Sequence, residues 1–94
     1  MKKERPIAPG AVVRSKAGRD EGRYFIALSL SGEEFAYVAD GDLRKAEKPK
    51  LKRIKHLYVT DELVSSLQKK LMAGEPVENH ELRTSLEAFK QKEG

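Results

Sequence analysis

From Ala11 to Ala39 the chain repeats, with short interruptions, the period of two that sends neighbouring side chains to opposite faces of a strand. Ala11–Ser15 reads as a short first strand. In a second, Tyr24, Ile26, Leu28 and Leu30 alternate with Phe25, Ala27 and Ser29. Ser31–Gly32 supplies a turn that Glu33–Glu34 keeps solvated, and in a third strand Phe35, Tyr37 and Ala39 alternate with Ala36 and Val38. Asp40–Gly41 is a tight-turn signal. Pro49 has no N–H to give a ladder, so a central strand is forbidden there. The pattern therefore predicts a short strand near Leu43–Ala46, an irregular basic excursion, and a closing strand around Ile54–Tyr58. Short strands so closely punctuated by turns predict a small barrel.

The period then changes. Thr60 reads as a helix N-cap, with Asp61 and Glu62 suited to the first turn. Leu63, Leu67 and Leu71 recur at every fourth position, and Gly74 reads as the stop. After Pro76 a second helix is expected from about Asn79, with Leu82, Leu86 and Phe89 on one stripe. The expected class is α+β, mostly β with C-terminal helices: residues 1–60 form the barrel with a basic arm, and 61–94 a helical hairpin. Neither helix is long enough to be stable alone in water. Their leucine stripes are expected to bury against one another or against the barrel, with the barrel preferred.

Composition narrows the chemistry. A chain of 94 residues makes one small core, in which a deep substrate cavity is not expected. The absence of cysteine excludes disulfides, thiolate zinc sites and cysteine nucleophiles. Neither end carries an apolar run suited to a signal peptide or a membrane span. The reading is a soluble, cytoplasmic protein. Charge is unevenly spread: residues 1–60 hold 14 Lys/Arg against 8 Asp/Glu, and residues 61–94 hold 5 against 7. The densest stretch, Arg44 to Lys55, has seven basic residues and the single acid Glu47. A basic half of this kind is the electrostatic footprint of a polyanion binder.

Two elements concentrate that charge. In "GAVVRSKAGRDEGRYFIAL", Gly18 and Gly22 bracket Arg19–Asp20–Glu21, so the backbone can turn sharply while Arg14, Lys16, Arg19 and Arg23 face outward from the loop and its margins. Arginine suits this role, because its planar fork pairs with phosphate through two bonds and stacks on bases. Asp20 is expected to hydrogen-bond loop amides or orient Arg19. The second element is "RKAEKPKLKRIKHL", in which Arg44, Lys45, Lys48, Lys50, Lys52, Arg53 and Lys55 form a charged arm. Leu51, Ile54 and Leu57 are read as packing residues. Phe25 and Phe35 are read as core, while Tyr24 and Tyr37 are better suited to a stacking surface.

The first element resembles the KOW motif: a strand, a glycine-bearing loop and a second strand, found in SH3-like barrels of large-subunit ribosomal proteins and NusG-type elongation factors. With "ADGDLRK" and "KPKLKRIKHL" following in order, residues 7–58 resemble the small KOW RNA-binding proteins of Gram-positive bacteria. The resemblance makes Gly10, Gly18, Gly22 and Gly41 the structural glycines and implies a ribosome-associated protein acting in translation. Its implied partner is ribosomal or other structured RNA, with ribosomal proteins as further partners and a monomer when free. The same barrel type also serves as a protein-interaction module or a transcription-linked accessory domain.

Nothing points to catalysis. Asp40–Gly41–Asp42 offers too few carboxylates for a calcium loop, and a turn that satisfies its own backbone explains it better. Neither GxxxxGK nor GxGxxG occurs. Ser15, Ser29 and Ser31 have no histidine at hydrolase spacing, and His56 and His80 lack evident co-ligands. An enzyme is not expected, nor a cofactor or metal.

Overall fold

The computed structural model describes residues 7–93; residues 1–6 of the expected N-terminal unit, and Gly94 at the other end, lie outside it. The described chain is a five-stranded antiparallel sheet followed by two helices, an α+β architecture. The strands are β1 (Ala11–Ser15), β2 (Tyr24–Ser31), β3 (Phe35–Ala39), β4 (Lys50–Arg53) and β5 (Leu57–Leu63), in the order β4-β3-β2-β1-β5. A 3-10 turn, Ile54–His56, carries the chain from one edge strand to the other. β4 and β5 are not paired with each other, so the sheet is open and not closed into a barrel.

The alternation in β1–β3 is apolar on both faces, and each face builds its own core. Val13, Phe25, Ala27, Ala36 and Val38 meet Ile7 and Leu57 on one side, with Ile54 and Val59 packed against them. On the other, Val12, Ile26 and Ala39 lie under Leu67 of α1 (Ser65–Met72) and Leu82, Leu86 and Phe89 of α2 (Asn79–Glu93). A sheet with two apolar faces must be covered twice, and the helices supply the second cover. Tyr24 belongs to this second core: it is half-buried, with its ring centroid 5.2 Å from that of Phe89 at 63°. Part of the ring is therefore committed to the core, and the rest lines a groove beside Arg23 and Leu86. Phe25 is fully buried, Phe35 only half-buried, and Leu51, read as a packing residue, is 46% exposed.

Three elements differ from the pattern's prediction, the first being the closing strand expected around Ile54–Tyr58: Ile54–His56 is a 3-10 turn, and β5 starts only at Leu57. Leu43–Ala46 is not a strand; the strand is Lys50–Arg53, directly after Pro49, on the sheet edge. An edge strand tolerates the neighbouring proline because only one side of it is paired. Thr60 does not cap a helix. It lies inside β5, and its hydroxyl donates to the Val12 carbonyl at 2.7 Å, where the β1–β5 register shifts, while accepting from the Glu62 N–H at 3.2 Å. α1 starts five residues later, with Val64 at its N-cap and no side-chain cap bond, so Leu63 is exposed at the end of β5 and only Leu67 of the expected stripe is buried. The second stripe is buried at all three positions.

Candidate nucleic-acid interface

The β1–β2 loop is built on its glycines and on Ser15. Gly18 and Gly22 have φ of +79° and +88°, the left-handed region that costs a side-chain-bearing residue. No atom lies within 4 Å of where a Cβ would stand at either, so the requirement is conformational and not steric. The loop base closes through Ser15 N–H to the Arg23 carbonyl (2.9 Å) and Gly22 N–H to the Ser15 carbonyl (2.9 Å). Lys16 N–H adds a bond to the His56 carbonyl at 2.8 Å, tying the loop to the 3-10 turn.

Asp20 at the loop tip reaches across to β4. Lys50 Nζ donates to its Oδ2 at 2.7 Å, and Lys52 Nζ stands 4.0 Å away while donating to the Ala17 carbonyl at 3.4 Å. The Lys50 bond holds the Asp20 carboxyl below its ordinary pKa, against the opposing effect of burial, with Lys52 and Arg44 adding attraction. Lys52 is only 8% exposed, and burial pushes its amine down despite the nearby Asp20. Lys50 and Lys52 are thus struts of the loop, not members of a free arm. Asp20 serves them and not Arg19.

The second turn is organised by Asp40, which is 6% exposed. Its Oδ1 accepts from the N–H groups of Asp42 (2.9 Å) and Arg44 (2.8 Å), and its Oδ2 accepts from Arg23 Nη2 at 3.2 Å. Burial raises the Asp40 pKa, but these bonds outweigh it and hold the carboxyl below its ordinary value. α2 clamps the same segment from behind. Asn79 Oδ1 accepts from Ala46 N–H at 2.8 Å, its Nδ2 reaches Glu47, and Arg83 Nη1 donates to the Gly41 carbonyl at 2.7 Å. Gly41 has φ of +79°, and a Cβ there would drive into the Asn79 carbonyl. Gly10, with φ of +93°, sits tightly against Val64 and Gln68 at the start of α1.

The loop and the 40–49 connection therefore form one braced frame at one end of the sheet. Lys16, Arg19, Arg44, Lys45 and Lys48 project from it, exposed and without an ion pair among the described residues. Lys55 is exposed on the 3-10 turn, and Arg14 projects from β1 opposite Tyr24 and Tyr58. Arg53 is separate: it pairs with Phe35 at the far end of β4, lies 5.2 Å over that ring, and meets Glu34 at 3.6 Å. Sequence reasoning missed Asn79 and Arg83, which carry no local signal, and saw Asp40 only as a turn. Such an array of exposed cations on a hydrogen-bonded support can pair with a polyanion.

Among the described residues, no three His, Asp or Glu side chains gather to hold a metal ion, and no helix is long and apolar enough to cross a membrane. No family model matches the chain, and no curated protein matches its sequence.

Proposed function

We propose that the chain is a non-catalytic RNA-binding protein of the KOW type, built on an open SH3-like barrel and acting on ribosomal or other structured RNA. The barrel reading is supported by the strand order β4-β3-β2-β1-β5 and by the 3-10 turn joining the two edges over a shared core of Val13, Phe25, Val38 and Leu57. The observation that carries the function is the charge left over at the frame. Asp20 and Asp40 are consumed by Lys50 and Arg23, whereas Lys16, Arg19, Arg44, Lys45 and Lys48 keep their charge for a partner. Phosphates are that partner's chemistry, because each neutralised contact releases condensed counterions. The frame is cross-linked by side-chain bonds and the cations are spread over two loops, which fits the contour of a folded RNA better than a sequence-specific single strand. Ribosome association, a role in translation and a cytoplasmic location belong to the same proposal and rest on the KOW resemblance.

Two measurements test it. Binding to a structured RNA should weaken with salt at a slope of about −4 in log K against log salt, from five contacts at roughly 0.7–0.9 each. The tagged protein should sediment with ribosomal subunits and be released by nuclease. A salt-insensitive affinity, or co-sedimentation that survives complete RNA digestion, would favour a protein partner instead.

A further inference from the structure

A groove of about 440 Å³ opens between the Asp40–Gly41 turn and the exposed side of α2. Its two walls are arginines held by adjacent residues of one turn: Arg23 Nη2 on Asp40 Oδ2 at 3.2 Å, and Arg83 Nη1 on the Gly41 carbonyl at 2.7 Å. A guanidinium carries five N–H groups, so each wall retains donors in a fixed position. Lys90, seven residues after Arg83, stands on the same face of α2 and lines the groove further along. The floor is apolar: Leu86, 4% exposed, and Tyr24, whose ring is braced edge-on by Phe89. Asp42 and Glu87, both exposed, bring carboxylates to the rim.

We propose that this groove takes one unpaired nucleotide of the bound RNA, with its phosphate held by the cations Arg23, Arg83 and Lys90 and its base over Tyr24 and Leu86. This rests on the RNA-binding reading and adds to it a site on the helical segment, which the charge distribution alone leaves out. The size is that of a small-molecule pocket. Three cations line it, and the three carboxylates beside them include Asp40, already committed to the turn. A balanced rim over an apolar floor does not favour a bare polyanion. It suits a ligand that joins an anionic group, for the arginines, to a flat part carrying amino groups, from which Asp42 and Glu87 can accept as carboxylates do from cytosine. A paired base is shielded by its stack, so only a bulged, looped or terminal nucleotide can enter.

The test uses the whole chain and two probes. In an NMR titration, 5′-AMP, GMP and CMP should shift the resonances of Tyr24, Arg83 and Leu86, while inorganic phosphate at equal concentration should not. In binding assays, an RNA hairpin with a single-nucleotide bulge should bind about tenfold tighter than its fully paired counterpart, the scale of one base–aromatic stack. Lys90→Ala and Arg83→Gln should abolish that preference, and Lys48→Gln should weaken both hairpins equally. The Lys90→Ala variant changes an exposed helix position and so guards against loss of fold. Equal binding of the two hairpins, absent nucleotide shifts, or equal shifts with phosphate alone would overturn the groove proposal while leaving the loop interface standing. Nucleotide shifts at the groove with no binding of either hairpin would instead uphold the groove and sink the RNA reading.

Discussion

Lys50 donates to Asp20 at 2.7 Å, across thirty positions of sequence, and thereby fastens the β1–β2 loop to the edge strand β4. With Arg23 on Asp40, it makes one frame of two loops that the chain encodes separately. The predictions follow from which charges the frame uses and which it leaves free.

The frame should be acid-sensitive. Asp20 and Asp40 both have folded pKa values below their ordinary 3.8. Their stabilisation is fully present above that value and is lost as pH falls through it toward the folded values. The thermal midpoint should be flat between about pH 7 and pH 5 and fall below about pH 4. Asp20→Asn, which weakens a half-buried ion pair, should cost about 1 kcal/mol. Asp40→Ala should cost about 2–3 kcal/mol, because it strands two backbone N–H groups and a guanidinium. Melting curves across pH check both; a variant as acid-sensitive as the parent would show that its carboxylate is not responsible.

Lys48 and Lys52 should behave oppositely although only four positions separate them. Lys48→Gln should leave the melting temperature unchanged and reduce the salt slope of RNA binding by about 0.7–0.9. Lys52→Ala should leave the slope nearly unchanged and destabilise by about 1–2 kcal/mol, through the lost packing of its buried stem. Paired melting and salt-titration series on the two variants decide this.

The two turn glycines should also separate. Gly18→Ala meets open space and incurs only the left-handed backbone cost, about 1–2 kcal/mol. Gly41→Ala adds a collision with the Asn79 carbonyl and should cost at least about 3 kcal/mol, loosening α2 from the turn. Chemical denaturation measures the difference, and equal midpoints would mean that α2 yields without penalty.

Ending the chain after Leu63 keeps all five strands but uncovers Val12, Ile26 and Ala39. The lost helices bury Leu67, Leu82, Leu86 and Phe89, each contributing about 1.5–3 kcal/mol if fully buried. The truncated chain should aggregate or melt without cooperativity, as read by light scattering and circular dichroism. A soluble fragment with a sharp transition would show that the sheet folds without its second cover.

Local pattern determined β1, β2, β3 and α2, because in each the apolar period matches the element and its flanking turn residues agree. It also placed the basic loops and the sharp backbone at Asp40–Gly41. Tertiary structure alone decided the rest. Alternation over "KLKR" is as compatible with a solvated arm as with an edge strand; pairing to β3 and the reach of Lys50 to Asp20 chose the strand. "TDEL" carries a helix-start signal at Thr60, yet β1 offered a free edge and a carbonyl at Val12, so β5 ran on to Leu63. Sequence charge counts all seven basic residues of Arg44–Lys55 alike. Only their neighbours in space separate a buried strut such as Lys52 from an exposed cation such as Lys48, because the energy of a charge depends on burial and on partners distant along the chain.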